Sequence, residues 1–258
     1  MNGKIKMNPR KLIILIIAAG LFNGCLKDTS STQGSNLLKV SFRIMANGQT
    51  VNHTDNFLNG SGETYTVSVF KFYTGNYSLA NSMNSGKTVT EGYFLSNMDD
   101  PSTLSVEVPL QGGNFNQLSF IIGVDSMHNV SGAQTGALDP INGMFWTWNT
   151  GYIFAKLEGR SPFSPALNQS VEYHIGGFRQ GENAIRQVTL DFPGDQVLAF
   201  GDGKKTEIVI DVNLDQWFDG ASHISIASTP VWMTPGGEAL HIADNYATMF
   251  TIHELINQ

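Results

Sequence analysis

Hydrophobic and polar positions alternate with period two along most of the chain from residue 38 onward, the signature of half-buried strands. Val40, Phe42 and Ile44 alternate with Lys39, Ser41 and Arg43. Tyr65, Val67 and Val69 alternate with Thr66 and Ser68, ahead of the aromatic run Phe70-Lys71-Phe72-Tyr73. Leu104, Val106 and Val108 form one stripe and Leu118, Phe120, Ile122 and Val124 another, with a Gly112-Gly113-Asn114 turn between them. The same pattern predicts strands at Gly151–Leu157, Ser170–Ile175, Arg186–Phe192 and Thr206–Val212, with Gly201-Asp202-Gly203 turning into the last. One helix is predicted near the C-terminus: Thr234 caps it, Pro235 takes its first position, and Leu240, Ala243, Ala247 and Phe250 share a face. Asp215–Asp219 forms one further short turn. Many short strands with Gly-rich turns and one late helix predict an all-β chain, an antiparallel β-sandwich with a short C-terminal helix.

Composition agrees with a packed fold. The 258 residues are 41% hydrophobic and only 14% charged, against about a quarter charged in an average domain. That excludes a disordered or coiled-coil chain. Net charge is −7, and the basic residues Lys4, Lys6, Arg10 and Lys11 all fall in the leader, leaving 11 basic against 22 acidic residues, −11, in the rest. Such a surface repels nucleic acid.

The leader has a basic start, an unbroken apolar run from Leu12 to Phe22, and then Asn23-Gly24-Cys25. The run is too short to span a bilayer and matches a signal-peptide core. Its Leu-x-x-Gly-Cys ending resembles a bacterial lipobox, which places cleavage before Cys25 and lipid on its sulfur. Cys25 is the only cysteine, so lipidation also accounts for an odd thiol in an exported chain. Residues 1–24 therefore read as a lipoprotein signal peptide, residues 25–37 as a flexible tether and residues 38–258 as a single domain. The expected location is the cell envelope, anchored to the outer membrane on its periplasmic or surface face. Five Asn-x-Ser/Thr sequons, such as Asn52-His53-Thr54, are then only polar loop chemistry.

The motifs of common enzymes are absent: no Gly-x-Ser-x-Gly elbow, no phosphate-binding loop, no His-Glu-x-x-His. Asp211-Val212-Asn213-Leu214-Asp215 starts like a calcium loop, but Gln216 and Ser222 occupy the glycine and bidentate-glutamate positions. Glu172 and Glu182 have no spacing that suggests a catalytic pair. We expect a binding protein rather than an enzyme. The block Asp139-Pro140-Ile141-Asn142-Gly143-Met144-Phe145-Trp146-Thr147-Trp148 stands out. If extended, it puts Met144, Trp146 and Trp148 on one side. A thioether near imidazole suits copper; an aromatic pair on a strand equally suits core packing. Among the six histidines none pair at helical or strand spacing, so a metal site from them must be assembled across the fold.

Several blocks resemble the MbnP-like family: Asn129-Val130-Ser131-Gly132-Ala133-Gln134-Thr135-Gly136, Gly143-Met144-Phe145-Trp146-Thr147-Trp148 through Lys156-Leu157-Glu158-Gly159, Tyr173-His174-Ile175-Gly176-Gly177-Phe178, and Ile242-Ala243-Asp244-Asn245-Tyr246. The likeness runs from about Val40 onward and is to the lipoprotein branch common in Bacteroidetes. It implies a copper-binding envelope protein. Carried over by position, it implies His53, His128 and His174 as imidazole ligands and Met144 as a further one. It also implies oxidation of Trp146 or Trp148 to kynurenine by a dihaem, peroxidase-like partner. The competing expectation is a surface lipoprotein that binds glycan or a protein partner through aromatic residues without metal, with Trp217 and Trp232, flanked by Phe218 and Met233, as stacking platforms. Convergent histidines favour the first expectation, scattered histidines the second.

Overall fold

The computed structural model describes residues 36–81, 87–110, 112–149, 151–200 and 206–257; the leader, Cys25, most of the tether and the expected Gly201–Gly203 turn lie outside them. In chain order the strands begin with β1 (Asn36–Ala46), β2 (Gln49–Thr50), β3 (Phe57–Leu58), β4 (Thr64–Ala80), β5 (Lys87–Asn97) and β6 (Ser105–Leu110). They continue with β7 (Gly113–Phe115), β8 (Gln117–Ile122), β9 (Phe145–Trp146), β10 (Gly151–Arg160) and β11 (Ser170–Gly176). The last are β12 (Arg186–Asp191), β13 (Leu198–Phe200), β14 (Thr206–Asn213), β15 (Val231–Trp232) and β16 (Phe250–Asn257). Helices are short: α1 (Ser126–Val130), α2 (Asp215–Asp219) and α3 (Glu238–Tyr246).

One sheet has the order β16-β14-β1-β2, with β6 also on β1; the other runs β12-β8-β4-β10-β11-β15, with β3 and β5 on β4 and β9 on β10. Their apolar faces meet in an aromatic contact. The Phe42 ring of β1 lies 5.3 Å from Phe72 and 6.3 Å from Phe120 of the opposite sheet, edge-on to both. It also lies 6.2 Å from Phe250. Edge-to-face rings between two sheets fill a sandwich core while keeping favourable quadrupole contacts.

The all-β expectation holds, with local corrections. The pairing is not antiparallel throughout: β1 and β14 run parallel from Leu38↔Thr206 to Met45↔Asn213. Val69 does not continue the Tyr65–Val67 stripe. A bulge where β10 passes from Glu158 to Gly159 shifts the register, so Phe70 and Phe72 become the buried residues. An extra residue in one strand flips every side chain beyond it. Leu104 ends a 3-10 turn, Pro101–Leu104, instead of starting a strand. The late helix starts at Glu238 because Gly236 and Gly237 sit at φ +76° and +54°, a left-handed conformation no helix can contain. Thr234 and Pro235 therefore precede it, and Phe250 opens β16 opposite Val212. The Gly113-Asn114 pair, expected only to turn, also forms β7 against β13.

A buried carboxylate locks one corner. Glu63, 5% exposed, accepts hydrogen bonds from Asn59 Nδ2 (2.7 Å), Ser225 Oγ (2.9 Å), and the backbone N–H groups of Ile226 (2.7 Å) and Ala227 (2.9 Å). It thus fastens the loop before β15 to the β3–β4 turn. Burial pushes this carboxyl up, and the donors of Asn59, Ala227, Ile226 and Ser225 together outweigh it, holding it below the usual carboxylate range. A depressed folded pKa gives stability that is present above the unfolded value and lost as pH falls through the folded one. Glu63→Gln should lower unfolding stability by roughly 1–3 kcal/mol, the cost of orphaning buried donors. Its stability should also fall less steeply than wild type as pH drops below about 4.5, measured by urea titration at several pH values.

Candidate functional site

β4 pairs with β10 over Thr66–Phe72 and with β8 over Thr74–Ala80. The chain leaves the sheet where β8 ends, with Gly123 N–H donating to Tyr73 O at 3.2 Å, and regains β4 at Ala155, opposite Phe72. The segment between folds back over the outer face of the sheet. Asp125 fixes its start: it accepts from His128 N (2.9 Å), His128 Nδ1 (2.9 Å) and Tyr93 Oη (2.7 Å), capping α1. Burial raises its carboxyl and these donors lower it, with a net depression. Asn129, fully buried, donates to Val124 O (2.6 Å) and accepts from Tyr152 N (2.9 Å), joining the segment's two ends. Two buried tyrosines hold its middle from below: Tyr73 Oη donates to Ala137 O (2.9 Å) and Tyr152 Oη to Leu138 O (2.8 Å).

Next, two lysines clamp the Pro140–Asn142 turn to the sheet. Lys71 Nζ donates to Asn142 O (3.2 Å) and Lys156 Nζ to Gly143 O (2.7 Å). Gly143, at φ +70°, supplies the left-handed residue that ends the turn. Met144 and Trp146 follow on extended backbone, so they face the same way; both are buried. Trp146 lies over β11. A side chain at Gly176 would meet its Cζ3 at 2.9 Å and overlap the Tyr152 carbonyl oxygen. Gly176 is thus the bare patch that receives the indole. His174, two residues earlier on β11, lies on that same face, about 6.6 Å away along the strand. Trp148 departs from the expected stripe: β9 ends at Trp146 and the chain turns, leaving Trp148 62% exposed with its ring 5.7 Å from that of Trp146.

The three implied imidazoles do not converge. His53, half-exposed, has Nε2 at 2.8 Å from Asp99 Oδ1 and Nδ1 at 3.3 Å from Val67 O. His128 packs edge-on against Tyr93, 5.0 Å between rings, and Tyr93 pairs with Gly75. Val67 and Gly75 are separated along β4 by roughly 25 Å. His174 sits between those levels, opposite Lys156, its Nε2 donating to Glu158 Oε1 at 2.7 Å. That bond, with Lys156 3.7 Å away, holds the Glu158 carboxyl below its usual range against burial, which raises it. Burial in turn lowers the Lys156 ammonium. His223, His241 and His253 likewise stand beside Asp219, Glu238 and Asp211. Among the described residues no three His, Cys, Asp or Glu side chains form a metal-holding group. Copper's donor chemistry is softer than that set. Met144 offers a thioether and His174 an imidazole, donor types that fit it, whereas His53 and His128 lie too far along β4 to join His174.

Trp146 also walls a small recess with Asn149, Phe178, Arg179, Glu182 and Pro235. Its Nε1 is buried without a hydrogen-bond partner among the described residues. Nothing in the periodicity pointed to Arg179 and Glu182, which lie in a loop. The aromatic platforms expected elsewhere are not available. Trp217 and Phe218 are in the core, and Trp232 is half-buried with Nε1 bonded to Thr234 O at 2.8 Å.

The fold is a β-sandwich whose outer face is covered by the segment between β8 and β10. The chain belongs to the MbnP family, whose family model matches residues 35–234. Among solved structures it is similar to MbnP from Methylosinus trichosporium, at 15% identity and a TM-score of 0.49, over 72% of this chain and 78% of that one. No curated protein matches it. Because Gly176 makes room for the indole, Gly176→Ala should displace Trp146 and destabilise the fold by about 1–3 kcal/mol, as overpacking does. Thermal unfolding and a red-shifted tryptophan emission would register both effects.

Proposed function

We propose that this chain is a lipid-anchored envelope protein that binds copper as cargo on the outer face of β10 and β11, with His174 and Met144 as its protein ligands and Trp146 beside them. The observation that carries this reading is the seating of Trp146 against Gly176, on the face of β11 that also bears His174, with Met144 two residues before it on extended backbone. Membership of the MbnP family supports it. Glu158 adds a further support: a carboxylate that takes one imidazole N–H fixes the ring and leaves the other nitrogen for a metal. His174 Nδ1 makes no hydrogen bond among the described residues. Copper binds neutral imidazole and thioether well, so few ligands suffice when they are soft and preoriented.

Of the two tryptophans, the buried Trp146 is the one we assign for oxidation to kynurenine. A dihaem, peroxidase-like partner would supply the oxidant, and one ring carbon would leave as oxygen enters. Lipid on Cys25, followed by the polar tether, would hold the domain at the outer membrane. The chain acts by binding, not by turnover. Exposed Trp148 favours one other reading, aromatic recognition of a glycan or protein partner without metal.

Copper titration of the mature full chain against a competing chelator separates the two. One-to-one binding is expected, weakened about 10–100-fold by His174→Ala or Met144→Leu and about tenfold by Glu158→Gln, in line with ligand and outer-shell losses. His53→Ala and His128→Ala should bind as wild type. Binding indifferent to His174, or lost with His53 or His128, overturns the assignment and leaves the aromatic reading.

A further inference from the structure

At the corner that Glu63 locks, a hydroxyl, an imidazole and a carboxylate stand in line. His223 Nδ1 lies 2.6 Å from Asp219 Oδ1, and its Nε2 lies 2.7 Å from Ser61 Oγ. An ionised carboxylate only accepts, so Nδ1 carries the proton. In the neutral ring Nε2 then offers a lone pair, and the Ser61 hydroxyl donates to it. Asp219 is held through its second oxygen, which accepts from Gly60 N–H at 2.7 Å. Gly60 is bare for that reason, since a side chain there would overlap the carboxylate.

Buried groups fix both loops. Ser61 sits in the turn between β3 and β4, where Gly62 N–H donates to Asn59 O (2.9 Å) and Asn59 N–H to Glu63 O (3.1 Å), while Asn59 Nδ2 reaches the buried Glu63 carboxylate (2.7 Å). His223 follows α2. Beside it Asn245, fully buried on α3, accepts from Ser222 N–H (2.7 Å) and donates to Trp217 O (2.9 Å) and Ser222 O (2.8 Å). On its other side Ile224 N–H donates to Phe218 O (2.8 Å). The three side chains therefore meet on backbone that is already ordered. They also reach solvent: Ser61 is exposed, and the side chains of His223 and Asp219 are 57% and 33% exposed.

We propose that Ser61 is a nucleophile that accepts an acyl group from an activated ester, with His223 as its base and Asp219 orienting the ring. As Ser61 Oγ attacks the ester carbonyl carbon, its proton passes to His223 Nε2. The Oγ–C bond forms, the C–O bond to the leaving group breaks, and the proton follows the departing oxygen. Ser61 N–H makes no hydrogen bond among the described residues and is free to meet the developing oxyanion. With all three groups at the surface nothing has to enter a cavity, so the ester can be carried on a larger molecule. Other exposed serines lack the base: Ser102 Oγ donates to Asp100 Oδ1 and Ser131 Oγ to Met127 O, both at 2.6 Å. The inference does not depend on copper, for none of these residues belongs to the proposed copper ligands.

Acetylation of the mature full chain by p-nitrophenyl acetate, quenched in acid and mapped by peptide mass spectrometry, tests it. Ser61 should take up one acetyl group about a hundredfold faster than Ser102 or Ser131, the usual worth of a positioned base. His223→Ala should bring Ser61 down to the rate of those two, and His174→Ala should change nothing. Acetylation of Ser61 no faster than that of Ser102 and Ser131, or unchanged by His223→Ala, overturns the proposal and leaves the cluster as a tie between the β3–β4 turn and α2. The comparison among serines uses the unaltered protein, so it decides the matter even if the variant folds poorly.

Discussion

Tyr73 stands where β4 changes partners, and the outer face of the sheet depends on that change. β8 covers β4 beyond Tyr73 and β10 covers it before, so the chain linking them must leave the sheet and return within a residue or two of one point. A connection that begins and ends at the same place can only fold back over the sheet. Tyr73 and Tyr152, buried beneath it, turn their hydroxyls to its carbonyls. Their burial pushes both phenols up, so both remain neutral donors. β10 thereby becomes covered on both faces at its start, which is why Gly151 to Ala155 are all buried and why that stretch reads as a continuous apolar run instead of an alternating one.

The same arrangement decides which residues can cooperate. An acidic chain has carboxylates to spare, and each of its six histidines stands beside one. Such pairing orients an imidazole but does not by itself gather several of them. What distinguishes His174 is its neighbourhood: Glu158 behind it, Lys156 opposite, and Trp146, seated on Gly176 of the same strand after the clamped Pro140–Gly143 turn. The site is made by the connection, not by the strands alone.

Much of the fold was legible in local pattern because strands bury alternate residues whatever they pair with. Val40, Phe42 and Ile44, or Leu118, Phe120 and Ile122, needed no partner to be read. Pairing itself is long-range, so the parallel β1–β14 contact and the bulge beside Gly159 left no local trace. β16 escaped because Phe250 also fits a helical period, and only Val212 opposite it settles the matter. The site was half legible. The soft donor Met144 and the indole of Trp146 stood out by type and spacing, and His174 by resemblance. Their separation from His53 and His128 is a property of where β4 carries its neighbours. The turn at Thr147, which exposes Trp148, depends on how the segment re-enters the sheet.

The central claim is that Met144 and His174 act as a single soft site. X-ray absorption at the copper edge of the loaded mature protein addresses it most directly, since sulfur and nitrogen scatter differently in the first coordination shell. The account predicts a sulfur scatterer together with nitrogen, with the sulfur gone in Met144→Leu. A shell of nitrogen and oxygen alone, unchanged by that substitution, would contradict it.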